Sequence, residues 1–158
     1  MSINRILTAI AICGFVALAP CRLSAQGVQG PLAKAKSIKC TFSVMATGTW
    51  GKEKPEAVIK PAAPLLVLQF EAINVDEGTA ELKSNYGKYD IIVRYVNGYL
   101  HVIQSFLDGP LHMTTILEKK TASGKLKAMH SRHEHTDVCL PSFTCSPEQY
   151  TGECEILN

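Results

Sequence analysis

What this sequence lacks narrows it most. It has no excess of charge of one sign to work with: 16 basic residues stand against 14 acidic ones. The small excess sits in the first 25 residues, where Arg5 and Arg22 have no acidic counterpart, and the rest of the chain is balanced. Nucleic-acid binders and polybasic membrane binders need a basic footprint, so no nucleic acid is expected as a partner. No amphipathic helical period, internal repeat or low-complexity stretch stands out. No G-x-S-x-G elbow, phosphate loop or H-E-x-x-H occurs, and no spacing singles out a nucleophile with its base. An enzyme is therefore not expected.

The one long apolar run is at the start. Arg5 precedes Ile6 to Ala19, a run too short to span a bilayer comfortably, and Leu23-Ser24-Ala25 resembles a signal-peptidase site. Residues 1–25 read as a cleaved signal peptide, which implies a periplasmic or secreted protein with no membrane span in the mature chain. The rival is a lipid anchor through Cys21, for which Pro20 is a poor preceding residue. Residues 26–36, rich in Gly and Ala, read as a flexible N-terminal tail, and 37–158 as one domain.

What is present is strand. Residues 89–117 hold three apolar-rich runs separated by Asn97-Gly98 and Asp108-Gly109, dipeptides suited to two-residue type I′ turns. Such turns pair Tyr95 with Leu100 and Gln104 with Met113. Ile91, Val93, Tyr95, Leu100, Val102, Gln104, Phe106, Leu111, Met113, Thr115 and Leu117 then share the core face. Ile92, Arg94, His101, Ile103, Ser105, His112, Thr114 and Ile116 take the other, with His101 and His112 as outer-face packing beside Arg94. A one-residue slip would turn a whole strand over.

Further strands are expected over 37–50, 65–74, 79–83, 125–135 and 150–157, with Gly51–Pro64, which holds three prolines, as a long loop. Eight strands joined mostly by short turns predict an all-β fold, a small closed eight-stranded antiparallel up-and-down barrel, with a two-layer β-sandwich as the alternative. In the barrel the first and last strands are neighbours. That predicts disulfides Cys40–Cys154 and Cys139–Cys145, the second around a short loop containing Pro141. The polar run Glu148–Glu153 has no evident reason to start a strand.

Three groups of residues could carry function. A turn at Thr121–Gly124 that pairs Leu117 with Leu126 continues the core face through Leu126, Ala128, His130 and Arg132. Tyr95, Gln104, Met113, His130 and Arg132 then put a few orienting groups among apolar walls, the composition of a ligand cavity. His133 and His135 point the same way on a strand and could give zinc or copper two imidazoles, with no cofactor as the preferred reading. Gly48-Thr49-Trp50 is similar to the G-x-W of lipocalins. It follows the first strand instead of opening it, and the other lipocalin motifs are missing, so it assigns no family.

The expected function is binding of a small amphipathic, anionic, lipid-like ligand such as a fatty acid. The alternatives are a protein-binding module, for instance an inhibitor of an extracellular hydrolase, and a periplasmic metal-binding protein.

Overall fold

Alternating apolar residues and Gly-containing turns give a chain that is almost entirely strand. The computed structural model describes residues 30–50, 54–84, 87–106, 109–134 and 146–157. A short helix α1 (Pro31–Lys34) is followed by β1 (Ser37–Trp50), β2 (Pro55–Asn74), β3 (Thr79–Ser84), β4 (Gly87–Val96), β5 (Tyr99–Ser105), β6 (Leu111–Lys120), β7 (Leu126–His133) and β8 (Glu148–Leu157). Each strand pairs antiparallel with the next, and β8 returns to β1, so the sheet closes into an up-and-down barrel. Closure leaves the sheet without free edges along its paired length. No helix among the described residues is long and apolar enough to cross a membrane. The leader expected over 1–25 lies outside the described residues.

Local chemistry sets the register strand by strand. Asn97 and Gly98 both take positive φ, 49° and 79°, and the type I′ turn pairs Val96 with Tyr99, Tyr95 with Leu100 and Val93 with Val102, as expected. The next connection departs from expectation. Gln104 lies opposite His112, and Ser105 opposite Leu111. Proline explains the shift. In a two-residue hairpin the residue after the turn must donate its N–H back across the ladder, and Pro110 has none. Phe106 N–H instead donates to Pro110 O, and Gly109 N–H to Phe106 O. The one-residue difference turns β6 over: His112, Thr114 and Ile116 face inward, while Leu111, Met113 and Leu117 do not join the core.

A second one-residue difference follows. β6 carries an irregularity between Ile116 and Lys120, so Ala128 pairs with Ile116 and His130 with Thr114. The two shifts cancel, and Leu126, Ala128 and His130 are buried on the core face as expected.

Two other segments differ from expectation. Residues 51–64 are not a long loop, because β2 begins at Pro55 and pairs with β1 out to Trp50, forming a two-stranded ribbon that runs past the barrel. Of the expected loose tail, residues 31–34 form α1, whose Leu32 is fully buried. Leu32 N–H donates to Glu118 Oε1 (2.9 Å), Gly30 N–H to the Tyr95 hydroxyl (3.2 Å), and that hydroxyl to Glu118 Oε1 (3.2 Å). The turn of helix plugs the barrel end that holds the β4–β5 turn.

At the seam, Cys40 and Cys154 are directly opposite each other and joined by a disulfide, with Cα atoms 4.0 Å apart. Such a bond belongs to an oxidising environment. Cys139 and Cys145 lie outside the described residues. Gly152 in β8 has a steric reason. It lies opposite Phe42 beside the β1 bulge between Phe42 and Val44, and a Cβ on it would come within 2.2 Å of Thr41 O. Only glycine lets the two strands meet there.

Candidate ligand site at the open end of the barrel

The interior is packed at one end and hollow at the other. Ile38, Cys40, Phe42, Phe70, Ile73, Val93, Leu100, Ile116 and Cys154 fill the plugged half. Above them a cavity of about 270 Å³ opens to the outside, walled by apolar residues including Leu68, Phe70, Leu82, Ile91, Val102 and Phe106. Its polar lining comes from Ser84 on β3, Gln104 on β5, His112 and Thr114 on β6, and His130 and Arg132 on β7. A groove of about 610 Å³ adjoins it, along Met45, Lys60, Ala62, Leu66, Glu148 and Tyr150, and Arg132 borders both.

Register places these groups. Thr114 and Tyr150 flank His130 on the neighbouring strands, and His112 and Glu148 flank Arg132. The Thr114 hydroxyl and His130 Nδ1 are 2.8 Å apart. His130 is 3% exposed, and its Nε2 has no hydrogen-bond partner among the described residues. Burial, reinforced by the positive charge of Arg132, lowers its pKa to about 3, so the ring is neutral. His112 contacts the buried Glu134 through Nε2 and sets its ring edge-on to Phe106, 4.8 Å between centroids. Burial lowers the His112 pKa, while Glu134 pulls the other way.

Arg132 is held without being used up. Its Nη1 lies 3.9 Å from Glu148 Oε2, its guanidinium carbon is 5.4 Å from the centre of the Tyr150 ring, and its Nε is buried without a partner among the described residues. The Tyr150 hydroxyl donates to Glu148 Oε2 at 2.6 Å, and burial together with that carboxylate raises the Tyr150 pKa to about 12. The Arg132 guanidinium therefore makes a cation–π contact with Tyr150. The side chain of Trp50 lies outside what the structure describes.

No family model, curated protein or solved structure matches this chain. What it does must be read from the site.

Of the five residues expected to line a cavity, Gln104, His130 and Arg132 do so. Tyr95 does not. It faces inward but at the plugged end, where its hydroxyl ties Gly30 to Glu118. Met113 does not either, because the β5–β6 register turns it away from the cavity. The same register brings in His112 and Thr114, which were expected on the outer face, and Tyr150 and Glu148 complete the site from β8. Pro110 was the signal in the sequence that could have found them. His133 is exposed on the outer face of β7, and His135 lies outside the described residues. Among the described residues no three His, Cys, Asp or Glu side chains are grouped to hold a metal ion.

Proposed function

We propose that this barrel is a periplasmic or secreted binding protein that takes a small amphipathic anion into its open end. One observation carries the reading: an apolar cavity lined by His130 and Arg132, whose Nε2 and Nε atoms are buried and unpartnered among the described residues. An unsatisfied buried donor costs about 1–3 kcal/mol, so a ligand acceptor that reaches it recovers free energy that water-exposed surface could not offer. Pockets for drug-sized ligands run from about 300 Å³ upward, and this cavity falls just below that range. The ligand body inside is correspondingly compact, a short acyl chain or a single ring, and anything longer must lie out along the Ala62–Leu66 groove. Each methylene buried would supply about 0.8 kcal/mol, and the Arg132 contact mainly sets orientation.

The test is displacement of a fluorescent short-chain acid from the exported protein. Gln104→Trp, which fills the cavity from β5, is expected to abolish saturable binding and leave the circular dichroism unchanged. Ala128 does not serve for this, since it sits 1% exposed in the packed half. Arg132→Ala should weaken binding about tenfold or more, the scale of a lost charged hydrogen bond. Saturable binding that survives Gln104→Trp unchanged would place the ligand elsewhere.

A protein-binding reading has one observation in its favour. Ile59, Leu65 and Val67, 77%, 55% and 49% exposed, form an apolar row on the outer side of β2. An inhibitor of an extracellular hydrolase would use this ribbon, and loss of a protein partner in Ile59→Lys would favour that role.

A further inference from the structure

We propose that the cavity recognises its ligand through a pair of N–H donors, His130 Nε2–H and Arg132 Nε–H, and so selects a carboxylate over an amine of the same shape. The proposal rests on the cavity-binding reading and names its ligand class. It also assigns a positioning role to Thr114.

What His130 can offer a ligand depends on which of its nitrogens carries the proton. Thr114 is 2% exposed, and His130 Nδ1 is its hydroxyl's neighbour at 2.8 Å. If Nδ1 held the proton and donated to the hydroxyl, the Thr114 O–H would need another acceptor, and Nε2 would be a bare buried lone pair. Two buried groups would be left unmet. If Thr114 donates to Nδ1, the hydroxyl and Nδ1 satisfy each other, and only the Nε2–H remains. The second arrangement leaves one orphan instead of two, so the ring, which lines the cavity, carries a buried N–H donor with no partner among the described residues.

That donor stays uncharged at neutral pH. The groups facing His130 are His112 from β6, Tyr150 and Glu148 from β8, and Arg132 and Glu134 along its own strand. Burial and Arg132 together outweigh Glu134 and keep the imidazole neutral. Two residues on, on the same face, Arg132 supplies the second orphaned N–H and the positive charge. The nearby carboxylates are engaged already, Glu148 by the Tyr150 hydroxyl and Arg132, and Glu134 by His112. An ammonium group would therefore meet two N–H donors and a cation. A carboxylate is complementary in charge and in hydrogen bonding to all three.

Size completes the class. At a water's share of about 30 Å³ each, the cavity holds about nine non-hydrogen atoms. Hexanoate, hexanamide and hexylamine are near that size, share one hydrocarbon body and differ at the head.

The exported protein is titrated with each by calorimetry, alongside Thr114→Val, Thr114→Ser and His130→Phe, and the His130 ring nitrogens are observed by 15N NMR. Hexanoate should bind best, hexanamide about tenfold more weakly for want of the charge, and hexylamine without saturation. Thr114→Val should weaken hexanoate several-fold, and Thr114→Ser should restore what the valine loses, because only the hydroxyl fixes the tautomer. His130→Phe keeps the ring and removes the donor, with a loss of about tenfold for hexanoate. The NMR spectrum should show the proton on Nε2. Hexylamine binding equal to hexanoate, a proton on Nδ1, or identical valine and serine variants would each overturn the donor pair and leave the cavity reading standing. Failure of all three ligands to bind would sink both.

Discussion

His130 shows how one side chain joins folding to function. It is an imidazole on the core face of a strand and on the wall of a cavity, kept neutral by burial, with one nitrogen committed to Thr114 and the other buried without a partner among the described residues. The same burial makes it a source of acid sensitivity. Its pKa falls from 6.5 in the unfolded chain to about 3 when folded. Between those values the unfolded chain holds the extra proton, so stability is complete above about pH 6.5 and falls as pH drops toward 3. From pH 7 to pH 4 this one residue should cost on the order of 3 kcal/mol. His112, whose pKa is also lowered by burial, acts in the same direction. Urea unfolding at pH 7 and pH 4 should therefore show a steeper acid loss in wild type than in His130→Phe, where the group cannot titrate. Equal losses in both would mean that His130 is protonated in the folded protein.

At the scale of elements, the lesson is how little it takes to invert a strand. The β4–β5 hairpin was legible because Asn97-Gly98 fits a type I′ turn and nothing after it interferes. Asp108-Gly109 carries the same signal, but Pro110 cannot donate the hydrogen bond that a two-residue hairpin requires. Gln104, His130 and Arg132 were legible as cavity residues. The last two were so only because the shift at Pro110 was undone by the irregularity between Ile116 and Lys120. His112 and Thr114 are hidden by the same shift, which also turns Met113 away from the cavity. The β1–β2 ribbon was obscured differently. Three prolines over 55–64 argue against a central strand, yet this length of β2 pairs with β1 alone, and a strand paired on one side tolerates proline. The register itself is testable. NMR of the folded protein should show cross-strand backbone contacts of Gln104 with His112 and of Val102 with Thr114. A contact of Gln104 with Met113 instead would restore the two-residue turn and remove His112 from the site.

The whole molecule divides its tasks along the barrel axis. The plugged end carries α1, the densest packing and the Cys40–Cys154 bond, while the open end carries the cavity and the charged groups. A closed barrel depends on one long-range seam, the pairing of β1 with β8, because every other ladder joins strands that are neighbours in sequence. The disulfide sits on that seam and joins residues 114 apart in sequence. In the chain-entropy view a loop of this length stabilises by about 4–5 kcal/mol, chiefly by restricting the unfolded chain. Replacing both cysteines with alanine should therefore lower the melting temperature by roughly 8–20 °C, taking about 2–4 °C per kcal/mol for a chain of this size. Phe42, Ile38 and the ladder on either side should still close the barrel at low temperature. Since the cavity lies at the other end, the doubly substituted protein should bind hexanoate in the cold as tightly as wild type does. Calorimetric melts and titrations of the two proteins check this together. An unchanged melting temperature would mean that the seam needs no covalent tie. Loss of binding in the cold would mean that the two ends are not separate.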